Sequence, residues 1–198
     1  MINTRPTVLV LAAGQSRRFG AHGHKLMQGL GTGTVFTATL RHAIETGYPV
    51  AVVTTAALVA SAAPLVATRD LLVLSDEEAE RGMGHSIAAG VASQAGARGW
   101  LVLPADMPLV RPSSIVAVGQ ALADHPVAYA QHRGRRGHPV GFAPELVSEL
   151  IELTGDEGAR RLVARYPALA VELDDPGVLI DVDTEADLAA ARAAAGVA

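Results

Sequence analysis

Short apolar runs that alternate with helical stretches are the feature of this 198-residue chain that most restricts its fold. Five of these runs have the leucine-rich or β-branched composition of strands buried on both faces: TVLVLAA, YPVAVVTT, DLLVLSD, GWLVLPAD and PVAYAQ. Helical stretches lie between them: VFTATLRHAIET, GHSIAAGVASQA and PSSIVAVGQALAD. Right-handed crossovers between parallel strands place helices on both faces of a sheet. The alternation therefore predicts an α/β fold with a mostly parallel sheet.

The last third of the chain is less regular. HPVGF is predicted as an added strand, PELVSELIELT and DEGARRLVARY as helices, and GVLIDVDTEADLAAARAAA as a strand that leads into a closing helix capped by Thr184. No internal repeat or Gly/Ser linker divides the sequence. We therefore expect a single domain over residues 1–198.

Composition excludes several classes of function. The formal net charge of −4 and the charged fraction of 18% argue against a disordered tail and against a nucleic-acid-binding protein. The chain has no cysteine, which excludes disulfides, thiolate zinc sites and a cysteine nucleophile. The apolar run near the N-terminus is too short to span a bilayer and lacks the build of a signal peptide. We expect a cytoplasmic protein without membrane partners.

Polar residues that follow the first apolar run have the chemistry of an anion site. Ligands of open α/β sheets bind at the carboxyl ends of the strands. In AAGQSRRFGAHGHK, Gly14 lets the backbone turn near a ligand, Ser16 offers a hydroxyl, and Arg17, Arg18 and Lys25 supply positive charge. GxGxxG and GxxxxGK[ST] are both absent, so a dinucleotide turn and a P-loop are disfavoured. The segment suits a polyphosphate, with a glycine-rich connection bearing solvated arginines as the alternative.

Asp106 is the best candidate for a metal ligand. It follows the apolar run of LVLPADMPLV and stands between Pro104 and Pro108, which hold it in a rigid frame. A helix cap is the alternative role, but Pro112 and Ser113 lie nearer to the next helix. Asp181 and Asp183 are two residues apart in a strand-like run, so either could complete a carboxylate pair. Capping of the last helix explains these two aspartates almost equally well.

Two glycine-bearing loops are candidates for substrate contacts. RGMGHS leads into a helix through Gly82 and Gly84, so backbone N–H groups and the Ser86 hydroxyl could contact a base or a ribose, although Ser86 could equally be an N-terminal cap. QHRGRRGHPVGF carries several arginines and His138 among its glycines and could receive an anionic second substrate. HxxxH, HExxH and GxSxG are absent, which argues against a zinc site and a serine triad.

Six separated motifs resemble a known family. LAAGQSRRFG with Lys25, RGMGHSIAAGV, LPADMPLV, GRRGHPVGF, TGDEGARRLV and DVDTEADL are together similar to the MobA-like nucleotidyltransferases, and most closely to the molybdenum cofactor cytidylyltransferase (MocA-like) branch. The resemblance extends over nearly the whole chain. It implies a Rossmann-like three-layer sandwich of the nucleotide-diphospho-sugar transferase type. It also implies Mg²⁺-dependent transfer of a nucleoside monophosphate from an NTP to a phosphorylated acceptor, with release of pyrophosphate.

The resemblance, together with the residue chemistry, gives each candidate an expected role. The catalytic residues would be Arg18, Lys25 and Asp106. The nucleotide-binding residues would be Leu11, Ala12, Ala13, Gly14, Ser16, Arg18, Lys25, Gly84 and Ser86. The metal ligands would be Asp106 with Asp181 or Asp183, and the acceptor-binding residues would be Arg136, His138 and Arg160.

The resemblance also implies the substrates. Guanylyl-transferring relatives show LAGG where this chain has LAAG, and the Ala13 methyl would narrow a pocket for a purine, so we expect CTP rather than GTP. Molybdopterin would be the acceptor and a molybdoenzyme a possible partner. Two alternatives are open: a nucleotidyltransferase that uses GTP or another phosphorylated acceptor, and a non-catalytic carrier of the molybdenum cofactor. The GTGT segment at 31–34 and Ala105 depart from the family pattern.

Overall fold

The computed structural model describes residues 5–14 and 23–197. Its strands are β1 Thr7–Leu11, β2 Gly29–Leu30, β3 Gly33–Thr34, β4 Val50–Thr55, β5 Leu71–Leu74, β6 Trp100–Pro104, β7 Val127–His132, β8 Arg135–Phe142 and β9 Ala168–Glu172. Its α-helices are α1 Val35–Glu45, α2 Ala56–Ala62, α3 Asp76–Glu80, α4 Met83–Ser93, α5 Pro112–Ala121, α6 Val147–Leu150, α7 Arg160–Arg165 and α8 Glu185–Ala194.

A mixed sheet of seven strands organises the described residues. Its strand order is β5-β4-β1-β6-β8-β7-β9, and β2 pairs with β3 in a separate small hairpin. The pairs β5·β4, β4·β1, β1·β6 and β7·β9 are parallel, whereas β8 is antiparallel to both β6 and β7. The predicted α/β fold with a mostly parallel sheet is therefore confirmed.

Helices cover both faces of this sheet because alternate residues of its strands point in opposite directions. Val8 and Val10 of β1 belong to a first core cluster on one face of the sheet. Helices α1, α2, α5 and α8 contribute to this cluster, for example through Phe36 of α1. Leu9 belongs to the second core cluster, on the other face of the sheet. Helices α4, α6 and α7 contribute to it, for example through Ile87 of α4. The three layers expected from the sequence are present. None of the helices in the described ranges has the length and apolar character needed to span a bilayer.

The last third of the chain differs from its prediction. Residues 177–183 do not form a strand: Pro176–Leu179 is a 3₁₀ turn, and the chain continues irregularly to Thr184. The missed strand is β9, a partly exposed edge strand that precedes this turn. Of the two predicted helices, the first is a 3₁₀ turn over Pro144–Leu146 followed by α6. The second shortens to α7, because Gly158 adopts a positive φ of 56° just before it.

The GTGT segment that departs from the family pattern forms the turn and the second strand of the β2·β3 hairpin. Gly31 lies at its turn with a φ of 60°, a conformation that favours glycine. Thr34 then caps α1 in a capping box with Thr37, each side chain accepting a hydrogen bond from the other residue's backbone N–H. The hairpin thus leads directly from the Lys25 segment into the first helix.

Candidate active site

A cavity of about 700 Å³ opens at the carboxyl ends of β1 and β6. Because β8 is antiparallel to its neighbours, its first residues lie at this same edge of the sheet. The predicted site residues that line the cavity are Leu11, Ala13, Gly14, Lys25, Ser86, Asp106, Arg136, His138, Arg160, Asp181 and Asp183. The structure therefore brings together residues from seven separate segments of the chain.

Lys25 joins two of the predicted metal ligands. Its Nζ donates hydrogen bonds to Oδ2 of Asp106 at 2.6 Å and to Oδ1 of Asp183 at 2.5 Å. The exposed side-chain fractions are 14% for Lys25, 17% for Asp106 and 28% for Asp183, so the charges are partly withdrawn from solvent. Ion pairs of this burial are screened less by salt than pairs on the surface. We refer to these three residues as the carboxylate-lysine cluster.

The position of Asp106 is fixed by the backbone around it. The N–H of Ala105 donates to the carbonyl of Leu11 at the end of β1 (3.0 Å), and the Thr39 hydroxyl donates to the carbonyl of Ala105 (2.9 Å). The carbonyl of Asp106 accepts from the N–H of Val182 (2.9 Å). Three segments distant in sequence therefore hold this carboxylate at the strand end.

The cap of α8 determines how Asp183 is presented. Thr184 is the N-cap residue and forms a capping box with Asp187, whose Oδ2 also accepts from the backbone N–H of Asp183 at 3.2 Å. The capping role considered for Asp181 and Asp183 therefore belongs to Thr184. Asp183 faces Lys25, whereas Asp181 is exposed and its charge acts on His138. We expected the side chains of Asp181 and Asp183 to point to the same side because they are two residues apart in a predicted strand. This segment is irregular, so the alternation of a strand does not apply to it.

The charge state of Lys25 follows from its two neighbours. Burial on its own would lower the pKa of Lys25, but the charges and hydrogen bonds of Asp106 and Asp183 outweigh burial and raise that pKa above its ordinary value. Lys25 is therefore a stable cation at physiological pH. Burial and the neighbouring Lys25 charge lower the pKa of His24.

The cluster has the donor chemistry that a hard divalent cation requires. Oδ1 of Asp106 is buried and lacks a hydrogen-bond partner within the described ranges, which is costly for a carboxylate oxygen unless a ligand satisfies it. Mg²⁺ is usually bound by one or two protein carboxylates together with substrate phosphates and water. Residues 5–14 and 23–197 contain no cluster of three or more His, Asp or Glu residues with metal-site geometry. Asp106 and Asp183 therefore fit a metal shared with a phosphorylated substrate.

The predicted nucleotide residues divide into cavity-lining and packing residues. Ala13 and Ser86 line the cavity while being only 2% and 6% exposed. Ala12 belongs to the core and donates its N–H to the Val53 carbonyl. The Gly84 N–H donates to the Gly155 carbonyl, and a Cβ at Gly84 would lie 2.6 Å from a backbone oxygen of the adjoining residue 154. Ala12 and Gly84 thus have packing roles in this structure, where a nucleotide contact was expected.

Part of the first motif falls in the segment between the two described ranges. The predictions for Ser16, Arg17 and Arg18 lie outside the described residues. Their expected roles therefore stay predictions. Gly14, the last described residue before this segment, is exposed and lines the cavity.

The predicted acceptor residues gather at another part of the cavity wall. Arg136 and Arg160 are exposed, and the Arg136 guanidinium lies over the Tyr129 ring at 5.5 Å from its centroid. Burial lowers the pKa of His138 to about 4, with Arg136 and Arg160 adding to that shift and Asp181 opposing it. His138 is therefore neutral at physiological pH, next to two permanent cations. This wall combines a hydrogen-bonding imidazole with charges suited to an anion.

Several cavity residues were missed by sequence reasoning. Glu80 and Asp156 contribute carboxylates near the start of α4, whereas Arg135, which also lines the cavity, belongs to the arginine-bearing loop that was predicted to receive an anionic substrate. Asp156 lies in the TGDEG part of a motif already noted in the sequence, which was a usable signal. Val178 and Leu179 also line the cavity, but their apolar run was assigned to a strand.

Comparison with known proteins gives a family match over most of the chain. Residues 8–171 match the profile of the MobA-like NTP transferase domain. The purine catabolism protein PucB of Bacillus subtilis is 38% identical over 113 residues, which are 54% of this chain and 55% of PucB. The chain thus spans about half the length of this curated relative.

Solved structures resemble the chain over almost its full length. Rv0371c from Mycobacterium tuberculosis H37Rv is 27% identical, with coverage of 98% of this chain and 100% of that one and a TM-score of 0.83. A complex of Rv0371c with manganese is 26% identical, with coverage of 96% and 99% and a TM-score of 0.79.

A nucleotidyl transferase from Methanothermobacter thermautotroptrophicus, Mth528, shares the fold at 20% identity, with coverage of 98% of both chains and a TM-score of 0.82. The domain profile matches well over half of the chain. The chain therefore belongs to the MobA-like NTP transferase family.

Proposed function

We propose that the chain is a magnesium-dependent cytidylyltransferase that moves CMP from CTP to the molybdopterin cofactor with release of pyrophosphate. The observation that carries the proposal is the carboxylate-lysine cluster, which lies at the wall of a cavity large enough for a nucleotide and in which Oδ1 of Asp106 is buried with no hydrogen-bond partner among the described residues. A non-catalytic carrier of the cofactor would not require such a cluster. Nucleotidyl transfer does require one, because charge on phosphate oxygens must be neutralised.

The reaction needs little covalent chemistry from the protein. A phosphate oxygen of the acceptor attacks the α-phosphorus of CTP, the bond from that phosphorus to the bridging oxygen breaks, and pyrophosphate leaves with the electron pair. The acceptor phosphate is already a nucleophile, so no general base is needed. A bound Mg²⁺ would neutralise phosphate charge. Lys25 would place its positive charge beside the phosphate oxygens, and Arg18 is proposed to add a second positive charge there.

We assign the metal to Asp106 and Asp183. Both carboxylates lie within hydrogen-bond distance of one ammonium, so a single cation between them is already favourable. Asp181 belongs instead to the acceptor wall, because its charge acts on His138. This choice separates two aspartates that their sequence spacing left equivalent.

The acceptor is proposed to bind at the wall formed by Arg136, His138 and Arg160. Guanidinium groups bind phosphate oxygens through charge-assisted hydrogen bonds, and a neutral imidazole can donate or accept a further one. A phosphorylated pterin offers both an anionic group and ring heteroatoms. The relative PucB is named for purine catabolism, so an oxidoreductase that acts on a purine is the first molybdoenzyme partner we would test.

The proposed preference for CTP rests on the part of the cavity wall formed by Ala13 and Ala79, which we call the cavity floor. Ala13 packs with Val53, Leu74 and Ala79 in a third core cluster, and Ala13 and Ala79 both line the cavity. Two methyl groups therefore narrow the space at this point. One methyl in a pocket discriminates by about 1–3 kcal/mol, which is enough to favour the smaller base.

Pyrophosphate release tests the proposal. CTP, GTP, ATP and UTP are each incubated with Mg²⁺ and molybdopterin, using the wild type, Asp106→Asn and, as a control, the exposed Asp124→Asn. Release with CTP that is lost in Asp106→Asn and kept in Asp124→Asn supports the assignment. Preference for GTP, or release only with another phosphorylated acceptor, would overturn the corresponding half of it. Tight cofactor binding without release under all conditions would favour a carrier.

A further inference from the structure

Asp175 is a buried carboxylate that accepts several hydrogen bonds away from the carboxylate-lysine cluster. It is 3% exposed. Its Oδ2 accepts from the Ser114 hydroxyl at 2.6 Å and from the Arg111 backbone N–H at 2.9 Å, and its Oδ1 accepts from the Gly177 N–H at 3.0 Å. The Arg111 guanidinium lies 3.8 Å away and also donates to the Asp174 carbonyl. Since a buried charge is costly unless it is paired and hydrogen-bonded, this set of contacts fixes the carboxylate in one position.

Asp175 stands where two loops that lead to the proposed metal ligands meet. The first carboxylate loop is residues 104–111, which begins near Asp106 and ends at Arg111. The second carboxylate loop is residues 174–183, which begins near Asp175 and ends at Asp183. The Asp175 side chain ties the start of the second loop to the end of the first loop.

The two loops are also in contact between their ends. A Cβ at Gly177 would lie 2.1 Å from the Leu109 carbonyl oxygen, so the backbones approach more closely there than any larger residue allows. At the far end the Val182 N–H donates to the Asp106 carbonyl at 2.9 Å. The second loop therefore runs beside the first loop and is attached at both ends. The attachment at the Asp175 end is made by side chains: the Asp175 carboxylate accepts hydrogen bonds there, and the Arg111 guanidinium donates to the Asp174 carbonyl.

The second carboxylate loop also reaches the acceptor wall. A Cβ at Gly137 would lie 2.0 Å from the Val178 carbonyl oxygen, and Gly137 stands between Arg136 and His138 on β8. Val178 and Leu179 line the cavity beside these residues. A shift of the loop would therefore move the acceptor wall and Asp183 together.

We infer that Asp175 is a positioning residue that holds the two carboxylate loops in register, and thereby sets the spacing of Asp106 and Asp183 and the place of the acceptor wall. The inference rests on the proposed function for what these loops bind, but not for their attachment to each other. Groups that orient metal ligands commonly affect metal affinity 10- to 100-fold.

Asp175→Asn is the first test. The NH₂ group of Asn would point either at the Gly177 N–H or at the Ser114 hydroxyl and the Arg111 N–H. All three of these groups donate to Asp175, so an NH₂ group in either place would face a donor where an acceptor is required. Ser114→Ala, which removes one donor and leaves the charge, is the milder second variant. Leu150→Ala is the control, because Leu150 is fully buried in the second core cluster on the opposite face of the sheet.

Two readouts are compared in the three variants. Amide hydrogen exchange of peptides that cover 104–112 and 176–184 reports on the attachment of the loops, and Mn²⁺ titration followed by electron paramagnetic resonance reports on the carboxylate pair. We expect Asp175→Asn to speed exchange selectively in both peptides and to weaken Mn²⁺ binding about tenfold or more. Ser114→Ala should act in the same direction to a smaller extent. Leu150→Ala should lower the melting temperature without either selective effect.

The outcomes separate the inference from the proposed function. If Asp175→Asn only lowers the melting temperature, as Leu150→Ala does, Asp175 is structural and the inference is wrong. If the wild type binds no Mn²⁺, the proposed metal site fails, and the exchange data still decide whether Asp175 joins the loops. Selective exchange in both loops together with weakened Mn²⁺ binding supports both statements.

Discussion

Nζ of Lys25 lies 2.6 Å from Oδ2 of Asp106, although 81 positions separate the two residues in the sequence. Lys25 is also the only lysine in the chain. A single ammonium therefore stands at the strand end where the proposed reaction must neutralise phosphate charge. It also gives the site a spectroscopic probe that needs no engineered label.

Lys25 should titrate above its ordinary value of 10.5. The attraction of Asp106 and Asp183 exceeds the effect of burial, so this group stabilises the fold below the unfolded pKa and loses that contribution as pH rises through the folded pKa. Lysine labelled with ¹³C gives one side-chain signal whose chemical shift can be followed against pH. Asp106→Asn should lower the midpoint, and Asp124→Asn should not. A wild-type midpoint at or below 10.5 would contradict the ion-pair geometry.

Replacing each candidate aspartate with asparagine should show that Asp183, and not Asp181, contributes to Mn²⁺ affinity. We expect Asp106→Asn and Asp183→Asn each to weaken Mn²⁺ binding at least tenfold, because each removes one of two carboxylate ligands. Asp181→Asn should change Mn²⁺ affinity less than threefold, since this residue is exposed and its charge acts on His138. Circular dichroism of each variant checks the fold. If Asp181→Asn and Asp183→Asn weaken Mn²⁺ binding equally, the ligand assignment is wrong.

The strands that form the centre of the sheet could be predicted from the sequence. β1, β4 and β6 are short apolar runs, and a strand covered by helices on both faces has no other composition available. The rule that ligands bind at carboxyl strand ends then placed Asp106 at the site. These inferences succeed because burial on both faces is recorded locally in each run.

The second carboxylate loop could not be predicted in the same way. Its residues GVLIDV read as a buried strand, but Gly177 packs against the Leu109 carbonyl and Val182 bonds to Asp106, and both contacts depend on distant residues. The reversal of β8, which brings His138 to the cavity, likewise depends on its pairing partners. Local patterns contain no record of such tertiary contacts. The sequence named Asp181 and Asp183 as equal candidates, and the contact of Asp183 with Lys25 became visible only in the structure.

The depressed pKa of His138 should appear as an acid-sensitive contribution to stability. The unfolded chain takes up this proton near pH 6.5, whereas the folded protein resists it until about pH 4. The free energy of unfolding should therefore fall as pH drops through this window, by at most about 3 kcal/mol from this residue. Urea unfolding of the wild type and His138→Gln between pH 4 and 7 isolates the effect. The variant should lack that part of the drop, and His125→Gln should retain it.

Base selectivity should depend on the Ala13 methyl. Ala13→Gly widens the cavity floor, so the ratio of kcat/KM for CTP to that for GTP should fall by about tenfold. Ala12→Gly is a matched control, because Ala12 is equally buried in the adjacent core and does not line the cavity. It should lower stability and leave the ratio unchanged. Selectivity that is the same in both variants would place the base elsewhere.

The neighbouring arginines of α7 offer the sharpest test of the acceptor wall. Arg160 lines the cavity, whereas Arg161 pairs with Glu157 at 2.6 Å and does not line it. Arg160→Ala should raise the KM for the acceptor about tenfold or more through loss of a charge-assisted hydrogen bond, and leave the KM for CTP unchanged. Arg161→Ala removes the same charge one position away and should change neither KM. Because the two variants share composition, net charge and helix, a higher acceptor KM in Arg160→Ala alone supports contact of Arg160 with the acceptor, and equal KM values would remove Arg160 from the acceptor site.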